Sequence, residues 1–143
     1  MDLVMDAAEI GEVIRLATGR DEPPFVIEEI EPGRLVVRLP FQQRMLRPGG
    51  TLSGPSLFTA ADLAMWVAVM AHYGPVVAAV TANLSISFLT RGEPGDILAE
   101  VRLLKKGRRL AVMDIGLFSA ADPKTRVAHV TGSYAIPSQA TQA

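Results

Sequence analysis

Cysteine is absent from the 143-residue chain, which excludes a disulfide framework, a thiol nucleophile and a thiolate metal site. Histidine occurs twice, at His72 and His129, too few and too far apart for a zinc site of the usual kind. No Gly-x-Ser-x-Gly run is present to activate a serine. An excess of one charge is missing too. The net charge is −1, which gives no field to steer nucleic acid, and no run of like charges is long enough to act as a tail. Asp2, Asp6, Glu9 and Glu12 near the N-terminus are the reverse of an export signal's basic first segment, so no export signal is expected. The longest apolar run, residues 63–71, is short for a bilayer and follows an aspartate, which argues against a membrane span. The expectation is a soluble cytoplasmic protein with no metal, no membrane contact and no nucleic-acid partner.

What the chain does contain is an apolar fraction of 49% within one domain's length. That fits a deeply buried central element or a large subunit interface. Residues 1–137 read as a single domain and 138–143 as a disordered tail. Apolar residues at helical spacing (Leu3, Ala7, Ile10, Ile14, Ala17) predict an amphipathic helix over 2–18. Residues 25–30 and 34–39 read as strands joined by the turn Glu31-Pro32-Gly33. Residues 80–90 alternate cleanly, with Val80, Ala82, Leu84, Ile86 and Phe88 on one face and Thr81, Asn83, Ser85 and Ser87 on the other. Further strands are predicted over 97–106, 110–120 and 125–136, making four strands in an antiparallel meander.

Between the two groups of strands lies the stretch 47–73, a Gly/Pro/Ser loop followed by a helix over 54–73 with no polar face. A helix apolar all round must be buried all round. A curved sheet that wraps most of it, with something else covering the remainder, meets that requirement. The sheet's open edges then call for a symmetric homo-oligomer, a homodimer or a dimer of dimers. Within the helix stands Asp62, a residue type almost never fully buried without a partner or a purpose.

This pattern resembles the hotdog fold, an α+β architecture in which a curved antiparallel sheet wraps a central helix. Within that fold it is most similar to the PaaI-type acyl-CoA thioesterases. Their signature, Asn-x-x-Gly-x-x-His-Gly-Gly followed by a helix with an acid about eight residues in, falls on Arg47-Pro48-Gly49-Gly50-Thr51-Leu52-Ser53-Gly54-Pro55 and Asp62. The strand Thr81-Ala82-Asn83-Leu84-Ser85-Ile86-Ser87-Phe88 and the basic segment ending Gly107-Arg108-Arg109 also resemble the family. The likeness covers about residues 33–136. Arg47 stands where the family has Asn, Ser53 where it has His, and Pro55 where it has the second Gly.

The resemblance implies an acyl-CoA substrate and no cofactor. It implies catalytic roles for Asp62 as base or nucleophile, for the Gly54 N–H as oxyanion donor and for Thr81 of the partner subunit in orienting water. Arg47, Ser53, Asn83, Lys106, Arg108 and Arg109 are its implied substrate contacts. A carboxylate among apolar neighbours is one whose charged form burial disfavours, and it can activate water or attack the acyl carbon. A helix N-terminus suits a developing oxyanion. Pro55 removes one possible donor, worth about 3–4 kcal/mol where such a donor is used.

Plainer readings stand beside these. Asp62 could be a structural acid paired with an arginine across an interface, and Ser53 before Gly-Pro suits a helix N-cap. Arg47 could be a loop charge and the basic hairpin a solvated turn. His129 reads as structural, His72 as a cation at a helix C-terminus, and Met65 and Trp66 as packing or acyl-pocket residues. Two rival functions follow. One is a hotdog protein that binds acyl-CoA or another hydrophobic acid without turnover. The other is a hydratase, which needs a histidine that neither His72 nor His129 supplies at the matching position.

Overall fold

The computed structural model describes residues 1–138, so residues 139–143 of the tail read as disordered lie outside the described residues. The first helix begins later than its apolar spacing predicts. The Asp6 carboxylate accepts the Glu9 N–H at 2.8 Å and the Glu9 side chain accepts the Asp6 N–H at 3.1 Å. This reciprocal cap starts α1 at Ala7, and the helix runs Ala7–Thr18 with Ile10 and Ile14 buried. Ahead of the cap, the N–H groups of Val4 and Met5 both donate to the Ala71 carbonyl, at 2.7 and 3.3 Å.

The strands are β1 (Val26–Glu31), β2 (Arg34–Leu39), β3 (Val80–Phe88), β4 (Ile97–Lys106), β5 (Leu110–Ser119) and β6 (Asp122–Ala135). They form one antiparallel sheet in the order β1-β2-β4-β5-β6-β3. The expected four-strand meander is therefore corrected. β4, β5 and β6 are hairpin neighbours, but β3 pairs with β6 while β4 pairs with β2. Residues 91–96, which the expected meander makes a turn, belong instead to a crossover over 89–96 along one end of the sheet. Its eight residues can reach about 26 Å when extended, and the three inter-strand steps need only about 14 Å. Hydrogen bonds from Leu89 N to Val127 O (2.9 Å), Ala120 N to Asp96 O (2.8 Å) and Ser119 Oγ to Glu93 O (2.7 Å) tie it down.

The second helix, α2, runs Gly54–Tyr73, as the composition predicts. The sheet curls around it, presenting alternate residues: Leu35 and Val37 of β2, Ile97, Ala99 and Val101 of β4, Met113, Ile115 and Leu117 of β5, and Ala128 and Val130 of β6, all buried. By length and composition alone α2 could cross a membrane, but eleven of its twenty residues are buried in this core. Its burial is not complete within the chain. Pro55, Phe58 and Thr59 are exposed and Asp62, Leu63 and Trp66 half-buried, a spacing of three and four that marks one continuous open face. That face lies beside the edge strand β3, whose Val80 and Phe88 are themselves exposed. On the far side of the sheet Arg34 pairs with Glu100 at 2.7 Å, and Arg38 pairs with Asp96 at 2.8 Å and with Glu28.

Candidate active site

Strict alternation along β3 would put Thr81 on the face that carries Asn83. A β-bulge changes this. Thr81 lies opposite Tyr134 and Asn83 opposite Ser133, leaving Ala82 as the extra residue. One added residue moves what precedes it to the other face, so Thr81 shares the α2 side with the half-buried Leu84 and Ile86. Its Oγ1 donates to Asp62 Oδ1 at 2.5 Å. The hydroxyl that reaches Asp62 thus comes from the same chain, where the resemblance implies the partner's. Asn83 is left on the opposite face, exposed, and lines none of the cavities described below.

Tyr134, which the sequence reading passed over, completes this cluster. It follows Ala128, Val130 and Gly132 on the inward face of β6, and its hydroxyl lies 3.3 Å from both Asp62 Oδ1 and the Asp62 carbonyl. Burial, above all, pushes the Tyr134 phenol up to about 12, with Asp62 adding to the shift and Thr81 opposing it. The phenol therefore keeps its proton as a donor. The signal for it lies in the period-2 pattern of β6, which puts Tyr134 on the face of Ala128, Val130 and Gly132.

Asp62 is half-buried rather than enclosed, which corrects the expectation of a fully buried carboxylate. Thr81 and Tyr134 engage Oδ1, and Oδ2 has no protein partner among the described residues. Nor does Asp62 belong to any of the ion pairs found there. The carboxylate opens into a hollow of about 320 Å³ shared with Trp66, Val80, Thr81 and Tyr134.

The N-terminal end of α2 makes a second cluster. Ser53 is the N-cap: its Oγ accepts the Ser56 N–H at 3.2 Å and donates to Ser56 Oγ at 2.8 Å. Pro55 sits in the first turn, where a missing N–H costs the helix nothing. The Gly54 N–H is one of the first-turn donors that no helical carbonyl can satisfy. Phe88 of β3 closes over this position, so that a Cβ at residue 54 would come within 3.2 Å of its ring. Arg47, Gly54, Phe88 and Arg91 line a shared hollow of about 400 Å³. Arg91 was read as part of a hairpin turn, and the crossover is what brings it beside Arg47.

The basic hairpin lies at the other end of α2. Lys106, Arg108 and Arg109 line a cavity of about 700 Å³ with His72 and Tyr73. The Lys106 ammonium stands 5.2 Å from the centre of the Tyr73 ring, and the Tyr73 hydroxyl donates to Gly107 O at 2.6 Å. His72 is not the helix-end cation expected. It is fully buried, its Nε2 accepts the Gly33 N–H at 2.9 Å, and its Nδ1–H donates to Ala68 O at 2.8 Å. Only the neutral imidazole can play both parts, and burial, chiefly, pushes its pKa below the ordinary value.

At 1.5 Å per residue, Gly54 and Asp62 are about 12 Å apart along the helix, and Asp62 and Tyr73 about 16 Å. One chain therefore holds a carboxylate, a helix N-terminus and a basic rim as three separate stations on a single rod.

A model of the thioesterase superfamily matches residues 49–125. The chain is 30% identical over 115 residues to “Putative esterase SSO1253” of Saccharolobus solfataricus, covering 80% of this chain and 76% of that one. Among solved structures, a “putative thioesterase” from Silicibacter sp. TM1040 is 40% identical, covers 96% of each chain and superimposes with a TM-score of 0.83. Two more distant structures share the fold. The PaaI protein of E. coli is 22% identical over 92% of this chain and 96% of its own, with a TM-score of 0.72. The protein smu.793 of Streptococcus mutans UA159, bound to acetyl CoA, is 24% identical over 82% of this chain and 92% of its own, with a TM-score of 0.68. The sheet and helix therefore form a hotdog fold with PaaI among its structural neighbours, as the sequence resemblance implies, and the chain belongs to the thioesterase superfamily.

Proposed function

We propose that this protein hydrolyses an acyl-CoA thioester with Asp62 as the general base. The observation that carries the proposal is the state of that carboxylate: one oxygen is fixed by Thr81 at 2.5 Å and by Tyr134, while the other is open to a hollow on the central helix. A positioned carboxylate with a free oxygen can take a proton from water while the hydroxide adds to the thioester carbonyl carbon. The resulting oxyanion needs donors about 3 Å away, and the Gly54 N–H at the head of α2 is assigned as one. Collapse of the intermediate breaks the C–S bond, and the departing thiolate takes up a proton as free coenzyme A.

A base and an oxyanion donor about 12 Å apart on one helix cannot serve a single carbonyl. The reading therefore includes a symmetric dimer, in which Gly54 of one chain faces Asp62 of the partner subunit. The open face of α2 from Pro55 to Trp66 and the exposed apolar residues of edge strand β3 support this arrangement, and a dimer of dimers is compatible with it. Lys106, Arg108 and Arg109, about 16 Å along the helix from Asp62, are assigned to the phosphates of coenzyme A, which guanidinium groups hold well. The acetyl CoA bound to smu.793 supports the ligand class. Thiol release from a panel of short, long and aromatic acyl-CoAs tests the proposal. Turnover of at least one is expected.

One observation favours a second reading, in which the protein binds an acyl-CoA without hydrolysing it. The Ser53 hydroxyl, at the family's histidine position, is spent on capping α2. Micromolar calorimetric binding with no thiol release from any member of the same panel would establish that reading in place of the first.

A further inference from the structure

Beside the N-terminal half of α2 runs a groove of about 810 Å³, bounded by the end of α1 and the short 3-10 turn Gln43–Met45. Its floor is apolar. Phe25 and Met45 are buried there and Trp66 is half-buried. Its rim carries Arg20, Arg44 and Arg47, and no aspartate or glutamate lines it. Arg15, Arg34, Arg38 and Arg102 each hold a carboxylate, whereas the three rim arginines, like Arg91, Arg108, Arg109 and Arg126, meet none among the described residues. Arg44 Nε donates instead to the neutral Gln42 side chain, at 2.6 Å. The groove also reaches Ser53 and Pro55 at the mouth of α2, next to the proposed oxyanion donor, and it shares Pro55, Thr59, Leu63 and Trp66 with the face assigned to the dimer, so the partner subunit would form one of its walls.

An apolar floor rimmed by guanidinium groups that hold no carboxylate suits a ligand with an apolar body and an anionic end. A carboxylate there can accept paired, charge-assisted hydrogen bonds. An alkyl terminus would instead press against guanidinium groups and strip them of water without replacing it. We propose that this groove binds the acyl group of the substrate, and that it selects acyl groups carrying a carboxylate at the end remote from the thioester, held by Arg20 and Arg44. The proposal rests on the thioesterase reading and narrows its substrate class. It leaves the phosphates of coenzyme A to the 105–109 hairpin, at the opposite end of α2.

The test compares kcat/KM for two coenzyme A thioesters of equal length, one of hexanoic acid and one of the six-carbon dicarboxylic acid. It uses the wild-type protein and the double variant Arg20→Gln/Arg44→Gln. A preference for the dicarboxylic thioester of about ten-fold or more is expected of the wild type, falling close to one in the double variant. Calorimetry with free coenzyme A supplies the second arm, and its affinity is expected to be the same in both proteins. Equal or better use of the hexanoyl thioester by the wild type would overturn the proposal, as would a preference that survives both substitutions. Free coenzyme A weakening in step with the preference would also overturn it, by assigning these arginines to the phosphates. Silence toward both thioesters would count against the hydrolase reading alone. The preference is then read from calorimetric binding of the two thioesters to the Asp62→Asn protein, where equal affinities would overturn it.

Discussion

Histidine and aspartate take opposite places along α2. Asp62 keeps one oxygen open at the surface, while His72, ten residues on, is sealed in the core with both ring nitrogens committed to backbone groups. The His72 arrangement carries a pH signature whose direction follows from its depressed pKa. Protonation is disfavoured in the fold, so between the folded and unfolded pKa values the unfolded chain binds more protons and stability rises with pH. The neutral ring's contribution is therefore complete above the ordinary value of about 6.5 and shrinks as pH falls below it. Thermal melts of the wild type are expected to drop between pH 7 and pH 5. Those of His72→Gln should lose this slope while starting from a lower melting temperature. Parallel pH profiles for the two proteins would show that His72 does not set the slope.

At the scale of elements, α2 and the strand that crosses it set the tightest constraint. A Cβ at Gly132 on β6 would lie 2.5 Å from Met65 Sδ and 3.1 Å from the Asn83 carbonyl, and Met65 has no exposed side to move toward. Gly132→Ala is expected to cost about 1–3 kcal/mol in denaturant unfolding, the usual range for overpacking a filled core. An unchanged midpoint would mean the helix can lift off the sheet freely. Most elements were legible from local pattern. The uniform apolarity of Gly54–Tyr73 marks its burial, and the alternation of β2, β4 and β5 marks their inward residues. What local pattern could not supply was pairing across the chain. Residues 89–96 look like any polar turn, and nothing in them says that β3 passes over two neighbours to join β6. A one-residue bulge has no compositional mark either, so the orientation of Thr81 toward Asp62 became legible only from its register with Tyr134. Arg91 and Tyr134 stayed hidden for the same reason, whereas Asp62 stands out as the one acid in an apolar helix and Gly54 follows from the family signature ahead of it.

At the scale of the whole molecule, the proposed roles of Asp62 and Gly54, about 12 Å apart along one helix, would make the number of chains part of the chemistry. If each site takes Gly54 from one chain and Asp62 from the partner subunit, two inactive variants can rescue each other. Asp62→Asn retains its Gly54, and Gly54→Val, whose side chain would meet Phe88, retains its Asp62. A mixed dimer then contains one intact site, so equal co-refolding is expected to restore about a quarter of the wild-type rate per chain, given random pairing in a symmetric dimer. No recovery in verified mixed dimers would place both groups at work within one chain.

The central claim is that Asp62 activates water for thioester hydrolysis, and its most direct test is thiol release by Asp62→Asn. Asparagine preserves the shape of the side chain and can still meet the Thr81 hydroxyl. The account predicts an unchanged circular dichroism spectrum together with a loss in kcat of about a hundred- to ten-thousand-fold, the range attached to a positioned general base. A folded Asp62→Asn protein that turns over its best acyl-CoA at the wild-type rate would contradict it.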